Sequence, residues 1–202
     1  MLKLIALLTM LIDHLWFVFF PDQLWMHGIG RLTMPIFAYS IARGMFYTHD
    51  KKRYIIQLGI LALVSQIPFM LLFQQGWTLN MVFPWFLAAI AICFPSWVTV
   101  LLAFGLFVVP MDYTSLVILL PVLTYHYWFV NKKPWVLLAL TVPVFSLISV
   151  WSTSPVQWFA LLAIPVIFFL EKYDNKVKVN KWLFYIFYPA HILLLWGIIQ
   201  IF

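Results

Sequence analysis

Apolar stretches long enough to cross a lipid bilayer, about 20 residues in a helix, recur along the whole chain and are separated by short polar turns. Of the 202 residues, 65% are hydrophobic and only 9% are charged, whereas a soluble domain carries about 25% charged residues. A soluble fold of this size has no interior large enough for that much apolar surface. The sequence therefore predicts a single transmembrane domain over residues 1–202, with no appended soluble module.

The first apolar stretch is predicted to be retained rather than cleaved. Lys3 and the apolar residues after it fit a signal peptide, but Asp13 and His14 interrupt the apolar run and no small-residue cleavage site follows. The single cysteine, Cys93, excludes an intramolecular disulfide and is expected to be a small buried apolar residue. The net charge of +6 comes from lysines and arginines placed mostly between apolar segments. Membrane lipids are thus the expected surroundings, and nucleic acid is not an expected partner.

Polar, proline and glycine residues divide the chain into nine candidate transmembrane helices, which make the predicted fold an all-α polytopic bundle. The fourth and fifth candidates are short and meet at Pro95 and Ser96. A re-entrant pair at that point is an alternative, and so are eight or ten spans. The nine candidates are residues 2–20, 31–47, 54–73, 79–95, 96–110, 113–130, 134–150, 155–170 and 182–201.

The distribution of basic residues predicts a cytoplasmic N-terminus. Lysine and arginine concentrate in cytoplasmic loops of membrane proteins. With nine spans, the loops 21–30, 74–78, 111–112 and 152–154 share one side and contain no lysine or arginine. The opposite side receives Lys3, Lys51, Lys52, Arg53, Lys132, Lys133, Lys172, Lys176, Lys178 and Lys181.

Several polar residues fall at a similar depth in different predicted helices. Counting about 1.5 Å per residue places Asp13 and His14 slightly outward of the membrane midplane, with Ser65 and Gln66 near the same level. His191 lies close to the midplane, and the long side chain of Arg31 reaches toward the same layer. Ionisable groups at this depth are functional candidates because burying them in lipid is costly. A purely structural Asp13–Arg31 ion pair and packing roles for the two histidines remain open.

An imidazole beside a carboxylate in a low-dielectric cavity is suited to general base catalysis. Neighbouring helix positions diverge by about 100°, so an alternative is that Asp13 pairs with Arg31 while His14 alone faces a substrate. The five histidines lack metal-ligand spacing, and no metal is expected. Asp112, in an outer turn, is expected to be solvated.

A basic cluster follows the second predicted helix and consists of Arg43, Lys51, Lys52 and Arg53. Guanidinium and ammonium groups bind phosphates, so the cluster is a candidate site for a cytosolic cofactor such as coenzyme A. A role as topology signals that also contact anionic lipid is sufficient by itself to explain the cluster.

Five motifs and their order resemble the TraX family of membrane proteins. The resemblance is dense over the first 80 residues, thin from about residue 95 to 180, and returns near the C-terminus. The Ile-Asp-His and Tyr-Pro-x-His pieces are its most specific parts. The motifs are LKLIALLTMLIDHLWFVFFP, IGRLTMPIFAYSIARG with a basic loop and Tyr54 after it, ALVSQIPF, Leu79-Asn80 and FYIFYPAHILLL.

The resemblance implies acetyl transfer in a bacterial inner membrane, because the founding member is associated with N-terminal acetylation of a conjugative pilin. The family also resembles larger membrane acyltransferases that use a histidine in an early helix. The resemblance to the family places Asp13 and His14 at the reaction centre. One departure is Arg43, where the family often has an acidic residue before the glycine. The residues expected around the substrate are Arg31, Ser65, Gln66, Asn80, Tyr188 and His191.

The combined expectation is a membrane-embedded acetyltransferase that uses cytosolic acetyl-CoA as co-substrate. Its phosphates would bind near Arg43 and the basic loop, and His14, assisted by Asp13, would act on an amine or hydroxyl acceptor. The acceptor is a peptide N-terminus like that of a pilin, or a cell-envelope molecule such as a glycan. Direct transfer and a covalent acetyl-histidine intermediate both remain open. A transporter or lipid translocator using the same polar layer, and a structural subunit, are the alternatives.

Overall fold

The computed structural model describes residues 1–152, 155–174 and 180–201, and throughout these ranges the chain is helical or in short connections. The two lysines expected on the cytoplasmic side at positions 176 and 178 lie outside the described residues. The α-helices are α1 (Leu2–Phe19), α2 (Leu24–Gly30), α3 (Thr33–Tyr47), α4 (Lys51–Phe73), α5 (Val82–Ala91), α6 (Ser96–Gly105), α7 (Leu119–Thr124), α8 (Pro134–Ser152), α9 (Ala163–Asp174) and α10 (Lys181–Ile199). A 3-10 turn (Ser115–Ile118) precedes α7, a π-helical turn (Tyr125–Val130) follows it, and a second 3-10 segment (Pro155–Leu162) precedes α9.

Helix α3 is the centre of the bundle. Nine of its 15 residues are buried, and it contacts α1, α5, α7 and α9. By contrast, outward-facing leucine and isoleucine side chains on the long helices are well exposed, among them Leu63, Ile67 and Leu194. An apolar outer surface around a close-packed interior is the arrangement that lipid requires.

Four helical segments are long and apolar enough to cross a membrane: Leu2–Phe19, Lys51–Phe73, Pro155–Tyr173 and Trp182–Ile199. Each coincides with one of the spans expected from the sequence. Shorter apolar helices fill most of the other expected spans. Helices α5 and α6 have 10 residues each and so rise about 15 Å, half the thickness of the hydrocarbon layer. Neither helix by itself has the length of the spans expected over 79–95 and 96–110.

Helices α5 and α6 instead form a hairpin whose two ends are tied together. The backbone N–H of Leu79, before α5, donates to the carbonyl of Pro110, after α6, over 2.9 Å. The N–H of Asp112 donates back to the carbonyl of Leu79 over 2.8 Å. At the hairpin tip, Cys93 is exposed, so the expectation that it is buried is wrong. The helix ends just before it, which removes the neighbouring turns that would cover the side chain.

Candidate functional site

A cavity of about 350 Å³ opens at the end of the bundle where α1 and α4 finish. Its walls come from α1, α2, the segment after α4, the connection between α6 and α7, α8 and the 3-10 segment before α9. The polar groups that line it include Asp13, His14, His27, Arg31, Asp112 and Gln157. A polar cavity enclosed by apolar helices is the kind of place in which small ligands bind and react.

His14 and His191 form a hydrogen-bonded relay at the edge of this cavity. Nδ1 of His191 lies 2.6 Å from the carbonyl oxygen of Phe187, one turn earlier in α10. A carbonyl only accepts, so Nδ1 of His191 carries the proton and its Nε2 has a lone pair. That Nε2 lies 2.7 Å from Nδ1 of His14, which must then donate. In the neutral ring, Nε2 of His14 is consequently left with a lone pair, and it makes no hydrogen bond to any described residue.

Aromatic contacts hold the two imidazoles in place. The rings of His14 and His191 are parallel within 4°. Phe187 stacks on His191 with centroids 4.7 Å apart, and Phe73 packs its edge against His14 at 5.3 Å. Fixed ring orientations keep the relay aligned, because hydrogen bonds weaken steeply away from linearity.

Asp13 does not contact His14 but pairs with two groups on the other side of α1. One carboxylate oxygen accepts a hydrogen bond from Nδ1 of His27 over 3.0 Å, and the other forms an ion pair with the Arg31 guanidinium. The guanidinium also lies over the ring of Tyr113, 5.2 Å from its centroid. Of the two arrangements open from the sequence, the structure has Asp13 paired with Arg31 and His14 facing the cavity. Asp13 can assist His14 only through its field.

The short helix α2 brings His27 and Arg31 to Asp13 because Gly30 has no side chain. A Cβ at Gly30 would lie 2.2 Å from a carboxylate oxygen of Asp13, far inside van der Waals contact. His27 also stacks on Trp16 with centroids 3.8 Å apart. Trp16 in turn donates its indole N–H to the carbonyl of Pro21 over 2.9 Å. This packing fixes α2 against the C-terminal end of α1.

Asp112 is half-buried and lines the cavity wall, so it is less exposed than the solvated turn residue that the sequence predicts. The backbone hydrogen bond between Leu79 and Asp112 holds this connection against the end of the bundle. Burial raises the pKa of the Asp112 carboxyl from 3.8 to about 7, against the opposing charge of Arg31. The carboxyl therefore exchanges its proton near neutrality.

A family comparison accounts for this combination of helices and polar groups. The family described as TraX protein matches residues 1–199. The chain belongs to the TraX family. A probable fimbrial assembly protein, FimC of serogroup H1, from Dichelobacter nodosus is 24% identical over 226 aligned positions, which cover 96% of this chain and 92% of that protein.

A second relative is similar over a shorter stretch. The uncharacterized protein RP591 of Rickettsia prowazekii (strain Madrid E) is 38% identical over 80 residues, covering 40% of this chain and 30% of the relative. No solved structure matches the chain.

Five of the residues that the TraX resemblance assigned to the site lie together. Asp13, His14 and Arg31 line the cavity, and His191 supports His14 from behind. Tyr188 lines a smaller chamber that adjoins the cavity and shares Asp13 and His14 with it. The fold therefore brings these five side chains, which come from distant parts of the sequence, to one place.

Ser65, Gln66 and Asn80 lie outside the cavity lining. The side-chain amide of Asn80 donates to the carbonyl of Ala62 over 2.8 Å and to Oε1 of Gln66 over 2.9 Å. Gln66 donates to the carbonyl of Thr78 over 2.8 Å. These hydrogen bonds hold the connection after α4 against that helix. The side-chain amides of Gln66 and Asn80 therefore have a structural role. Ser65 is fully buried and its hydroxyl has no partner among the described residues.

The basic cluster lies at the other end of the bundle from the cavity. Arg43 is about 15 Å along the axis of α3 from its first residue, Thr33, which comes shortly after Arg31. Lys51, Lys52 and Arg53 begin α4 and are exposed, and Lys51 lies over the ring of Tyr125 at 5.7 Å. The cluster is therefore separated from His14 by most of the length of the helices.

Sequence reasoning missed His27 and Gln157. The position of His27 four residues before Arg31 was a usable signal, since helix positions i and i+4 share a face. Gln157 is buried against the cavity and its side-chain oxygen has no partner in the described chain; no local pattern marks it. Within the described ranges, no group of three or more His, Cys, Asp or Glu side chains is arranged to hold a metal ion.

Proposed function

We propose that this TraX-family protein is a membrane-embedded acetyltransferase in which His14 is the general base. The observation that carries the proposal is the relay from Phe187 through His191 to His14. It holds one nitrogen of His14 as donor and leaves the other with a lone pair beside a polar cavity. A positioned imidazole with one nitrogen fixed by a hydrogen bond is the arrangement that general base catalysis requires.

The proposed reaction moves one acetyl group and returns one proton. Nε2 of His14 takes the proton of an amine or hydroxyl acceptor as the acceptor atom attacks the thioester carbonyl of acetyl-CoA. The tetrahedral intermediate then breaks its carbon–sulfur bond, and the thiolate of coenzyme A takes the proton back from His14. The products are the acetylated acceptor and coenzyme A. Asp13, held by Arg31 and His27, contributes a fixed negative charge near the imidazolium that forms transiently.

The proposal places the donor and acceptor on opposite faces of a bacterial inner membrane. If the basic loops face the cytoplasm, the N-terminus is cytoplasmic and the cavity opens outward. The paired ends of α5 and α6 then make that hairpin re-entrant, with seven crossings formed by α1, α3, α4, the segment 115–130, α8, the segment 155–174 and α10. Arg43 and the exposed cations of residues 51–53 would hold the phosphates of acetyl-CoA.

The acceptor is expected to be a secreted peptide or envelope molecule that reaches the outward cavity. The name of the Dichelobacter relative connects that protein with fimbrial assembly, which favours a peptide. Gln157 offers a buried, unpaired acceptor at the cavity, and Arg31 offers a buried, unpaired Nε donor. Peptide groups supply the complement of both.

The test is transfer of radiolabelled acetyl from acetyl-CoA by the purified, detergent-solubilised protein. The acceptors are a synthetic peptide with a free α-amino group and, separately, glucosamine. We expect label in one acceptor, with a rate about 10²–10⁴-fold lower for His14→Ala and unchanged for His49→Ala, which alters an exposed histidine. Equal transfer by folded His14→Ala protein would remove His14 from the mechanism. No transfer and no acetyl-CoA binding by folded wild-type protein would contradict the proposed function.

A further inference from the structure

A chamber of about 40 Å³ extends from the main cavity toward the middle of the bundle. The two spaces share Asp13, His14, Asp112 and Tyr113. Beyond these shared residues, the chamber is lined mainly by side chains of the bundle interior. They include Met10, Met34, Met81, Trp85 and Tyr188. His14 therefore borders both the main cavity and this smaller chamber.

Trp85 lines this chamber, and its buried indole N–H is an unpaired donor in the described chain. Its side chain is 4% exposed, and its indole N–H has no acceptor within the described chain. Buried donors are nearly always paired in proteins, so an unpaired one at a cavity is accounted for when a ligand supplies the acceptor. The indole ring itself is packed against Phe37, with centroids 4.8 Å apart. The donor is thus held in a fixed place before any ligand arrives.

The volume of the chamber limits what it can hold. A water molecule needs a cavity volume of about 10–15 Å³. The chamber, with about 40 Å³, therefore accommodates a group of a few heavy atoms. An acetyl group has a methyl carbon, a carbonyl carbon and an oxygen. The methionines at the wall, Met10, Met34 and Met81, are each less than one-tenth exposed, so a longer acyl chain would have to displace packed side chains.

We propose that this chamber is the acyl-group pocket, in which Trp85 donates its indole N–H to the acyl carbonyl oxygen and the methionine wall restricts the acyl group to two carbons. The inference rests on the proposed acetyl transfer. In the step described above, the carbonyl oxygen becomes an oxyanion when the acceptor atom attacks and returns to a carbonyl when the carbon–sulfur bond breaks. A donor fixed beside that oxygen stabilises the charge without reorganising.

The test is calorimetric binding of free coenzyme A, acetyl-CoA and butyryl-CoA, which requires no acceptor. For wild-type protein we expect acetyl-CoA to bind about tenfold more tightly than butyryl-CoA, because an oversized chain must displace packed side chains. Trp85→Phe keeps the ring and removes the donor, so acetyl-CoA affinity should fall about tenfold while coenzyme A affinity stays unchanged. Met34→Ala should raise the affinity for butyryl-CoA.

Matched controls separate these effects from general damage to the fold. Trp97→Phe changes an exposed tryptophan, and Met45→Ala changes a buried methionine of α3 that does not line the chamber. Both controls should leave the preference for acetyl-CoA unaltered. If wild-type protein binds acetyl-CoA but Trp85→Phe and Met34→Ala leave the three affinities in the wild-type order and ratio, the acyl-pocket inference is wrong and the proposed function stands. If wild-type protein binds none of the three ligands, both are wrong.

Discussion

His14 donates its Nδ1 proton to Nε2 of His191 over 2.7 Å, although the two residues are 177 positions apart in the chain. The contact joins the first and last helices of the bundle at the edge of the polar cavity. The Phe187 carbonyl accepts from Nδ1 of His191, so Nε2 of His191 must accept from His14. The donor and acceptor nitrogens of both rings are therefore assigned by this one carbonyl. The reactive nitrogen of His14 is thereby assigned from geometry.

Replacing His191 should slow catalysis without abolishing binding. His191→Phe keeps a flat ring but removes the acceptor for Nδ1 of His14, so the tautomer and ring orientation of His14 are no longer enforced. We expect kcat for acetyl transfer to fall about 10²-fold with KM for acetyl-CoA nearly unchanged. A simple packing role predicts instead a lower melting temperature and unaltered kcat. Steady-state kinetics and a thermal melt on the same sample distinguish the two.

Asp13→Asn should destabilise the protein by about 3–5 kcal/mol, because it leaves the buried Arg31 without its paired carboxylate. Denaturation in detergent measures the loss, and Asp22→Asn, at an exposed position, serves as the control with no expected change.

Exchanging the charges, with Asp13→Arg and Arg31→Asp together, should not restore stability. The carboxylate at position 13 also accepts a hydrogen bond from His27, and a guanidinium there has no acceptor to offer. Full recovery in the exchange variant would show that the pair acts only as a structural lock between helices, the alternative that the sequence left open.

Gly30→Ala should cost about 1–3 kcal/mol through overpacking, since the added methyl would lie 2.2 Å from Asp13. The displaced carboxylate should also lower acetyl transfer. Gly197→Ala offers a matched control in α10, where a Cβ meets nothing within 4 Å, and it should be neutral or slightly stabilising. Equal behaviour of the two variants in thermal melts would contradict the close contact between α2 and α1.

Asp112 should make stability fall as pH rises from about 4 to 7. The folded carboxyl holds its proton up to about pH 7, whereas the unfolded one releases it near 3.8. Between these values the folded state binds more protons, so the free energy of unfolding decreases with increasing pH. Arg31, Asp13, Tyr113 and Tyr188 are the ionisable groups that interact with Asp112.

Melting curves of wild type and Asp112→Asn between pH 4 and 8 measure this dependence. Asparagine does not titrate, so the melting temperature of the variant should rise relative to that of the wild type as the pH increases from 4 to 8. The expected rise is at least about 2–4 °C, which corresponds to 1 kcal/mol for a chain of this size. Parallel pH profiles for the two proteins would show that Asp112 is an ordinary solvated carboxylate.

The long helices and the chief site residues could be predicted from the sequence. Long, mostly apolar runs mark α1, α4 and α10, because a helix that satisfies its own backbone hydrogen bonds can cross lipid. An ionisable residue in such a run differs clearly from its apolar neighbours, so the sequence predicts Asp13, His14 and His191 as site residues. Their common depth follows from counting residues, since the rise of a helix is constant.

Features that depend on distant backbone contacts could not be predicted. The α5–α6 hairpin closes through backbone hydrogen bonds between Leu79 and the connection after α6. These bonds cannot be predicted from the hydropathy of the sequence. The same bonds hold the connection that carries Asp112 against the end of the bundle. Gln66 and Asn80 are polar residues among apolar ones, like Asp13, yet they bond to each other and to nearby carbonyls. Sequence position alone does not distinguish a satisfied amide from a ligand-binding one.

The tautomer of His14 is the most direct test of the central claim, and nitrogen-15 NMR of histidine-labelled protein in detergent measures it. Loss of one pair of ring signals in His14→Gln assigns the residue. We predict a protonated Nδ1 and an unprotonated Nε2 for His14 near neutral pH, with the distinction weakened in His191→Phe. A protonated Nε2 with a bare Nδ1 would contradict the relay and leave His14 without the free base that acetyl transfer requires.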